Sequence, residues 1–236
     1  MLSGVVFDFD GTLAELHIDF SRLKQQLQAI AAAFLDGHSI HASLPVLEYM
    51  EHVRSCLEQS SPDAAREFHS RCRLLITATE MDAAQKGRLF PHSHTILEAL
   101  RQRGIKTGVI TRNCTAAVRV VAPRLKSWCD AFYPREEVSR VKPHPEHLQT
   151  ALQAMRVPVR QGLMVGDHPL DIQTAKRAGC MSAGVFTGHT SRESLLSEAP
   201  DFLAPDLPHL MAQLADLGHL PRLEIGSVDA SQGPGY

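Results

Sequence analysis

Five short apolar runs, at residues 4–9, 105–111, 131–133, 162–166 and 181–187, constrain the fold more than any other feature of the chain. They are continuous rather than alternating, the pattern of strands covered on both faces and therefore paired in parallel. A weaker sixth run lies at 201–204. Helical spacing fills most of the gaps. Leu148, Ala151, Leu152 and Met155 fall at i, i+3, i+4 and i+7, and Ile172, Ala175 and Ala178 share a face that stops at Gly179, a residue suited to the C′ position. Strand, helix and strand in succession predict an α/β fold, a Rossmann-like parallel sheet with helices on both faces.

One interval breaks the rhythm. Between the first and second strands lie 94 residues, Asp10 to Arg103, where a crossover helix needs about a dozen. The surplus is itself helical. Phe20, Leu23, Leu27, Ile30 and Phe34 mark one amphipathic helix; Leu47, Met50, Val53 and Leu57 mark a second. A third carries Ala65, Phe68, Cys72, Leu75 and Thr79, opened by Ser61-Pro62-Asp63 as N-cap and N1 proline. Residues 91–103 read as the crossover helix. The expected organisation is a core of residues 1–14 and 90–225, an inserted helical cap at 15–89, and a small, polar, glycine-rich tail at 226–236 expected to be disordered. An insertion after the first strand is expected to lie over the carboxyl ends of the strands, as a lid.

Composition narrows the class. The net charge is −2, with 24 basic against 26 acidic residues, which lacks the basic surplus of a nucleic-acid binder. No apolar stretch approaches the roughly 20 residues of a membrane span, and the chain opens directly on a strand, which leaves no room for a signal peptide. The five cysteines show no C-x-x-C spacing, so neither a zinc site nor a disulfide framework is expected. A cytoplasmic protein with unpaired thiols is the expectation.

Chemistry gathers at the strand ends. The first run leads into Asp8-Phe9-Asp10-Gly11-Thr12-Leu13. Two carboxylates leaving one strand edge together repel by about 4 kcal/mol at an effective dielectric near 20, so a cation or a retained proton is expected there. Gly11 allows the sharp turn that brings amides to an anion. The second run ends in Thr111-Arg112-Asn113, a hydroxyl and backbone amides suited to a phosphoryl oxygen. Val141-Lys142-Pro143 follows, and the fourth run ends in Gly166-Asp167-His168-Pro169-Leu170-Asp171. Each segment alone reads equally as a solvated strand end. In an open parallel sheet, however, such positions converge on one crevice.

In that order the four segments resemble the motifs of the haloacid dehalogenase superfamily: D-x-D-x-T, then Thr or Ser, then Lys, then an acidic G-D-x-x-x-D. The helical insertion looks like that superfamily's C1-type cap, and FDFDGTL leans toward its phosphoglycolate-phosphatase-like branch. The resemblance implies an Mg²⁺-dependent phosphatase acting on a small phosphorylated metabolite through an aspartyl-phosphate. Asp8 would be the nucleophile and Asp10 the general acid and base. Asp8, Asp10 (through its backbone carbonyl) and Asp167 would hold Mg²⁺. Gly11, Thr111, Arg112 and Lys142 would bind phosphate, and Asp171 would orient Lys142 or a metal-bound water, or ligate directly.

A phosphomutase would share every core residue and differ in returning the phosphoryl group to the sugar. A catalytically silent binding module would keep the fold alone. Oligomeric state stays open. Two departures from the superfamily pattern are His168-Pro169 in the fourth motif and the absence of an Asp-Ser pair after Leu13. Of the histidines His92, His94, His144, His147 and His168, none has metal-ligand spacing, and only His168 lies close enough to the expected site to matter.

Overall fold

The computed structural model describes residues 1–35 and 44–223; the tail expected at 226–236 lies outside them. The strands are β1 (Gly4–Phe7), β2 (Ala14–Glu15), β3 (Arg88–Leu89), β4 (Lys106–Ile110), β5 (Ala131–Tyr133), β6 (Gly162–Gly166), β7 (Met181–Val185) and β8 (Phe202–Ala204). Six of them form one parallel sheet in the order β5-β4-β1-β6-β7-β8. β1 and β6 sit at its centre, so their carboxyl ends face each other across one register: Phe7 lies level with Val165 on β6 and Val109 on β4.

The runs at 131–133 and 162–166 coincide with strands. Those at 4–9 and 181–187 end two residues early. At β1 the reason is a turn, in which the Phe9 carbonyl accepts from the Leu13 and Ala14 amides and leaves the ladder. This turn carries Asp8 and Asp10 off the sheet edge.

The helices are α1 (Phe20–Ala32), α2 (Val46–Ser60), α3 (Pro62–Lys86), α4 (Ser93–Gln102), α5 (Thr115–Val121), α6 (Leu125–Trp128), α7 (Pro145–Ala154), α8 (Pro169–Ala178), α9 (Arg192–Ser197) and α10 (Leu207–Asp216). Leu148, Ala151 and Leu152 of α7, with Met155 at its C-cap, pack with Ala175 of α8 against Val6, Ile110 and Met164. Alternation puts Val5, Phe7, Leu163 and Val165 on the opposite face, where they are equally buried. α4 packs on β4, and α10 packs on β8 and on α4. α8 stops at Gly179, whose φ of +76° supplies the left-handed C′ residue.

The chain divides into two units. One comprises Met1–Leu16 and the chain from Gly87 on; the other is His17–Lys86. The sequence reading puts these borders at 14/15 and 89/90. The difference is the two-residue antiparallel ribbon of β2 and β3, which belongs with the sheet unit and is too short to show periodicity. Within His17–Lys86, Leu23 and Leu27 of α1, Met50 and Val53 of α2, and Phe68 and Cys72 of α3 form a core of their own. The Ser61 hydroxyl caps α3 by accepting from the Ala64 amide at 3.3 Å. Phe20, expected on the apolar face of α1, is instead 56% exposed: it is the first residue of the helix, where no preceding turn lies beneath it.

No helix among the described residues is long and apolar enough to cross a membrane. Among the described residues no two cysteines are joined, and burial pushes the Cys72, Cys129 and Cys180 thiols up to about 12.

Candidate active site

Lys142 is the centre of the site. It is 2% exposed, and its Nζ lies 2.6 Å from Asp8 Oδ1 and 2.6 Å from Asp171 Oδ1. Burial alone would lower its pKa, but the Asp171 and Asp8 carboxylates outweigh that and hold it above the ordinary lysine value. The two carboxylates thus favour the charged ammonium.

The acids around it are crowded. Oxygens of Asp8, Asp167 and Asp171 all lie within 4.8 Å of one another. Burial raises Asp8 to about 6; Lys142 pulls against that rise, and Asp171 adds to it. Burial likewise pushes Asp167 well above the usual carboxylate range, helped by Asp8, Asp171 and Asp10. Two ionised carboxylates at that separation repel by about 3–4 kcal/mol at an effective dielectric near 20, and one lysine cannot neutralise three of them.

Local structure fixes each acid. His168 caps α8: its Nδ1 accepts from the Leu170 amide at 3.2 Å, and its own N–H donates to Asp171 Oδ2 at 3.1 Å. The helix thus starts with a reciprocal capping box and with Pro169 at N1, a position that tolerates proline. Burial and the Lys142 charge lower the pKa of His168, which keeps the Nδ1 lone pair free to accept. Both Asp171 oxygens are spoken for, one by Lys142 and one by the His168 amide.

Asp167 is held differently. The Thr12 hydroxyl donates to its Oδ1 at 3.3 Å, and two glycines crowd its carboxylate. A Cβ at Gly11 (φ +77°) would lie 2.3 Å from Asp167 Oδ2, and one at Gly188 only 1.8 Å from it. The Thr187 hydroxyl donates to the Gly11 carbonyl, tying the two glycine segments together. Gly188→Ala is accordingly expected to displace Asp167 and raise the Mg²⁺ concentration giving half-maximal stabilisation by about ten- to a hundred-fold. Melting temperature titrated against Mg²⁺ checks this; an unchanged midpoint would show that the carboxylate has room.

Asp10 stands apart from the tight cluster. Its Oδ1 accepts from the Leu16 amide at 3.2 Å, on the side of the β2 turn, and its side chain is partly open. Thr111, just past β4, is buried, and its hydroxyl accepts from the Asn113 amide at 3.1 Å. The Arg112 guanidinium donates through Nη1 to the Lys142 carbonyl, which ties this strand end to the Lys142 backbone.

Three contributors escape a reading of the motifs. Thr187 and Gly188 follow β7, the neighbour of β6, where a strand end rich in small residues is the only signal. His147, on the first turn of α7, reads either as solvated or as packed behind the site residues, and its 0% exposure leaves the second.

The donor set suits a hard divalent cation. It offers carboxylate oxygens alone, with more negative charge than Lys142 can offset, and no thiolate or free imidazole among them. Asp8, Asp167 and Asp171 are the carboxylates whose oxygens lie close enough together to share such a cation, and Asp171 already accepts from Lys142 and from the His168 amide.

The haloacid dehalogenase-like hydrolase family model matches residues 5–185. The chain belongs to that family of hydrolases. Among its relatives, pyrophosphatase PpaX of Bacillus thuringiensis (strain Al Hakam) is 28% identical over 223 residues, spanning 92% of this chain and 98% of that protein. A hydrolase from Pseudomonas syringae superposes with a TM-score of 0.66 at 19% identity, covering 91% of this chain and 99% of that one. A protein described as a predicted phosphoglycolate phosphatase, from Haemophilus somnus 129pt, gives a TM-score of 0.58 at 19% identity, covering 90% and 97%.

Proposed function

We propose that the protein is an Mg²⁺-dependent phosphatase that hydrolyses a small phosphorylated metabolite through an aspartyl-phosphate at Asp8. The observation that carries this reading is the buried Lys142 ammonium, 2.6 Å from both Asp8 and Asp171, beside a third acid, Asp167. A carboxylate held against a fixed cation at a strand end is a nucleophile whose charge is kept but whose position is set.

The steps follow from the residues. An Asp8 carboxylate oxygen attacks phosphorus, and the bond from phosphorus to the ester oxygen breaks. Asp10, partly open and one turn away, gives its proton to the leaving oxygen. The Asp10 carboxylate then takes a proton from water, whose oxygen attacks the same phosphorus. The bond to Asp8 breaks, leaving inorganic phosphate and the starting carboxylate. Lys142, the Thr111 hydroxyl and the amides near Gly11 and Arg112 hold phosphoryl oxygens through both steps. Asp8, Asp167 and the Asp10 carbonyl would hold Mg²⁺, which offsets the carboxylate surplus and polarises the phosphoryl group.

Phosphoglycolate is the first substrate candidate, and pyrophosphate, named in the relative from Bacillus thuringiensis, belongs beside it. Phosphate release across a panel of phosphorylated metabolites, with and without Mg²⁺ and with Asp8→Asn as the blank, tests the reading. Metal-dependent release from a small compound, absent in the blank, is expected. Silence from folded protein, or turnover only with a bisphosphate activator, would reject it.

Mg²⁺ is also expected to stabilise the fold in a pH-dependent way. A carboxyl whose folded pKa is raised lowers stability progressively as pH climbs from 3.8 through about 6. The cation removes that penalty, so its effect on melting temperature should be large above pH 6 and small near 3.8. A shift independent of pH would show that Asp8 is not a ligand.

A further inference from the structure

We infer that His147 is a positioning residue for Lys142: a neutral imidazole that fixes the lysine backbone, and through it the ammonium between Asp8 and Asp171. This inference rests on the phosphatase reading above.

His147 is fully buried in the first turn of α7, where both ring nitrogens need partners. Nδ1 lies 3.2 Å from the Lys142 amide, which can only donate, so Nδ1 accepts. The proton therefore sits on Nε2, which donates to the Tyr133 carbonyl at 2.9 Å. That carbonyl also accepts from the Thr111 amide at 3.2 Å. One oxygen at the end of β5 thus ties the phosphate-binding strand end to the ring that holds Lys142. The other side of the Lys142 backbone is held as well, because its carbonyl accepts from the Arg112 guanidinium.

Burial pushes the His147 pKa down to about 3, and the Lys142 and Arg112 charges push the same way. A charged ring would turn Nδ1 into a donor facing the Lys142 N–H. A neutral ring with its tautomer set by Tyr133 keeps Nδ1 an acceptor for the Lys142 amide. Anchoring the Lys142 backbone fixes the point from which the side chain reaches Asp8 and Asp171, so a shift of that backbone must be taken up at the ammonium or along the chain. A displacement of about 1 Å in such a group costs on the order of a hundred-fold in rate.

Two substitutions separate the hydrogen bonds of the ring. In His147→Asn the side-chain amide oxygen occupies the place of Nδ1 and can still accept from the Lys142 amide. In His147→Gln the longer side chain carries its amide to the place of Nε2 and keeps only the bond to Tyr133. His147→Gln is expected to lower kcat about ten- to a hundred-fold with KM changed far less, and His147→Asn to restore kcat to within about threefold of the wild type. Crystal structures of both variants give a readout independent of turnover. The distance from Lys142 Nζ to Asp8 should stay at hydrogen-bond length in His147→Asn and exceed it in His147→Gln. An Asn variant as impaired as the Gln variant would overturn the inference, and so would an unmoved ammonium in the Gln variant. If His147→Gln fails to fold, the Asn variant still decides, since loss of kcat there contradicts the assignment. Should wild-type protein release no phosphate, the phosphatase reading fails, while the ammonium distance still tests the positioning role.

Discussion

Asp8→Asn is expected to abolish phosphate release, by at least about 10⁴-fold, while the protein stays folded. The amide keeps the shape of the carboxyl and can still accept from Lys142 through its oxygen, so the packing at the end of β1 is retained. What it loses is the charged oxygen that would bond to phosphorus. Stability should move the other way. The folded pKa of Asp8 is raised from 3.8 to about 6, so at pH above 6 its ionised form costs up to about 3 kcal/mol that a neutral isostere does not. Without Mg²⁺ the variant should therefore melt no lower than the wild type above pH 6, and the advantage should vanish near pH 3.8. Melting curves at the two pH values, beside a phosphate-release assay, check both halves. A variant retaining more than a trace of turnover would remove Asp8 from the role of nucleophile.

Lys142→Ala carries the second largest expected effect, and here activity and stability fall together. Removing one preorganised charge from beside the reacting group costs about 10²–10³-fold in kcat. Removing the cation from a buried cluster of acids also leaves Asp8 and Asp171 without their shared partner, a loss of about 3–5 kcal/mol for a buried pair broken on one side. Mg²⁺ should recover part of that stability, since it takes up some of the same charge. Denaturant unfolding with and without the metal, together with kcat, measures both. A Lys142→Ala protein as stable as the wild type in the absence of metal would mean that the acids in this cluster are largely protonated.

The sheet was legible because its strands are buried on both faces and so appear as unbroken apolar runs, as 162–166 does for β6. The helices of His17–Lys86 were legible from spacing, and α3 from the Ser61-Pro62 start as well. The β2 and β3 ribbon was not, because two residues per strand carry no period. The acids and Lys142 were legible as residue types at strand ends, where a parallel sheet brings distant segments to one edge. Their partners were harder to see. Gly188 meets Asp167 from the end of a different strand, and nothing near residue 188 announces a carboxylate 21 positions earlier. His147 resembles any polar residue on a first helical turn until the fold places it between the Lys142 amide and the Tyr133 carbonyl. The Arg112 side chain turned toward the Lys142 backbone for the same reason: its acceptor lies 30 positions away and exists only in the folded chain.

Trapping the covalent intermediate identifies the nucleophile itself. Borohydride reduces an aspartyl-phosphate to homoserine, and peptide mass spectrometry then reads which residue was converted. Quenching the enzyme during turnover of whichever panel compound releases phosphate should place homoserine at position 8. Homoserine at another aspartate, or none at all during steady turnover, would contradict the assignment of Asp8 as the nucleophile.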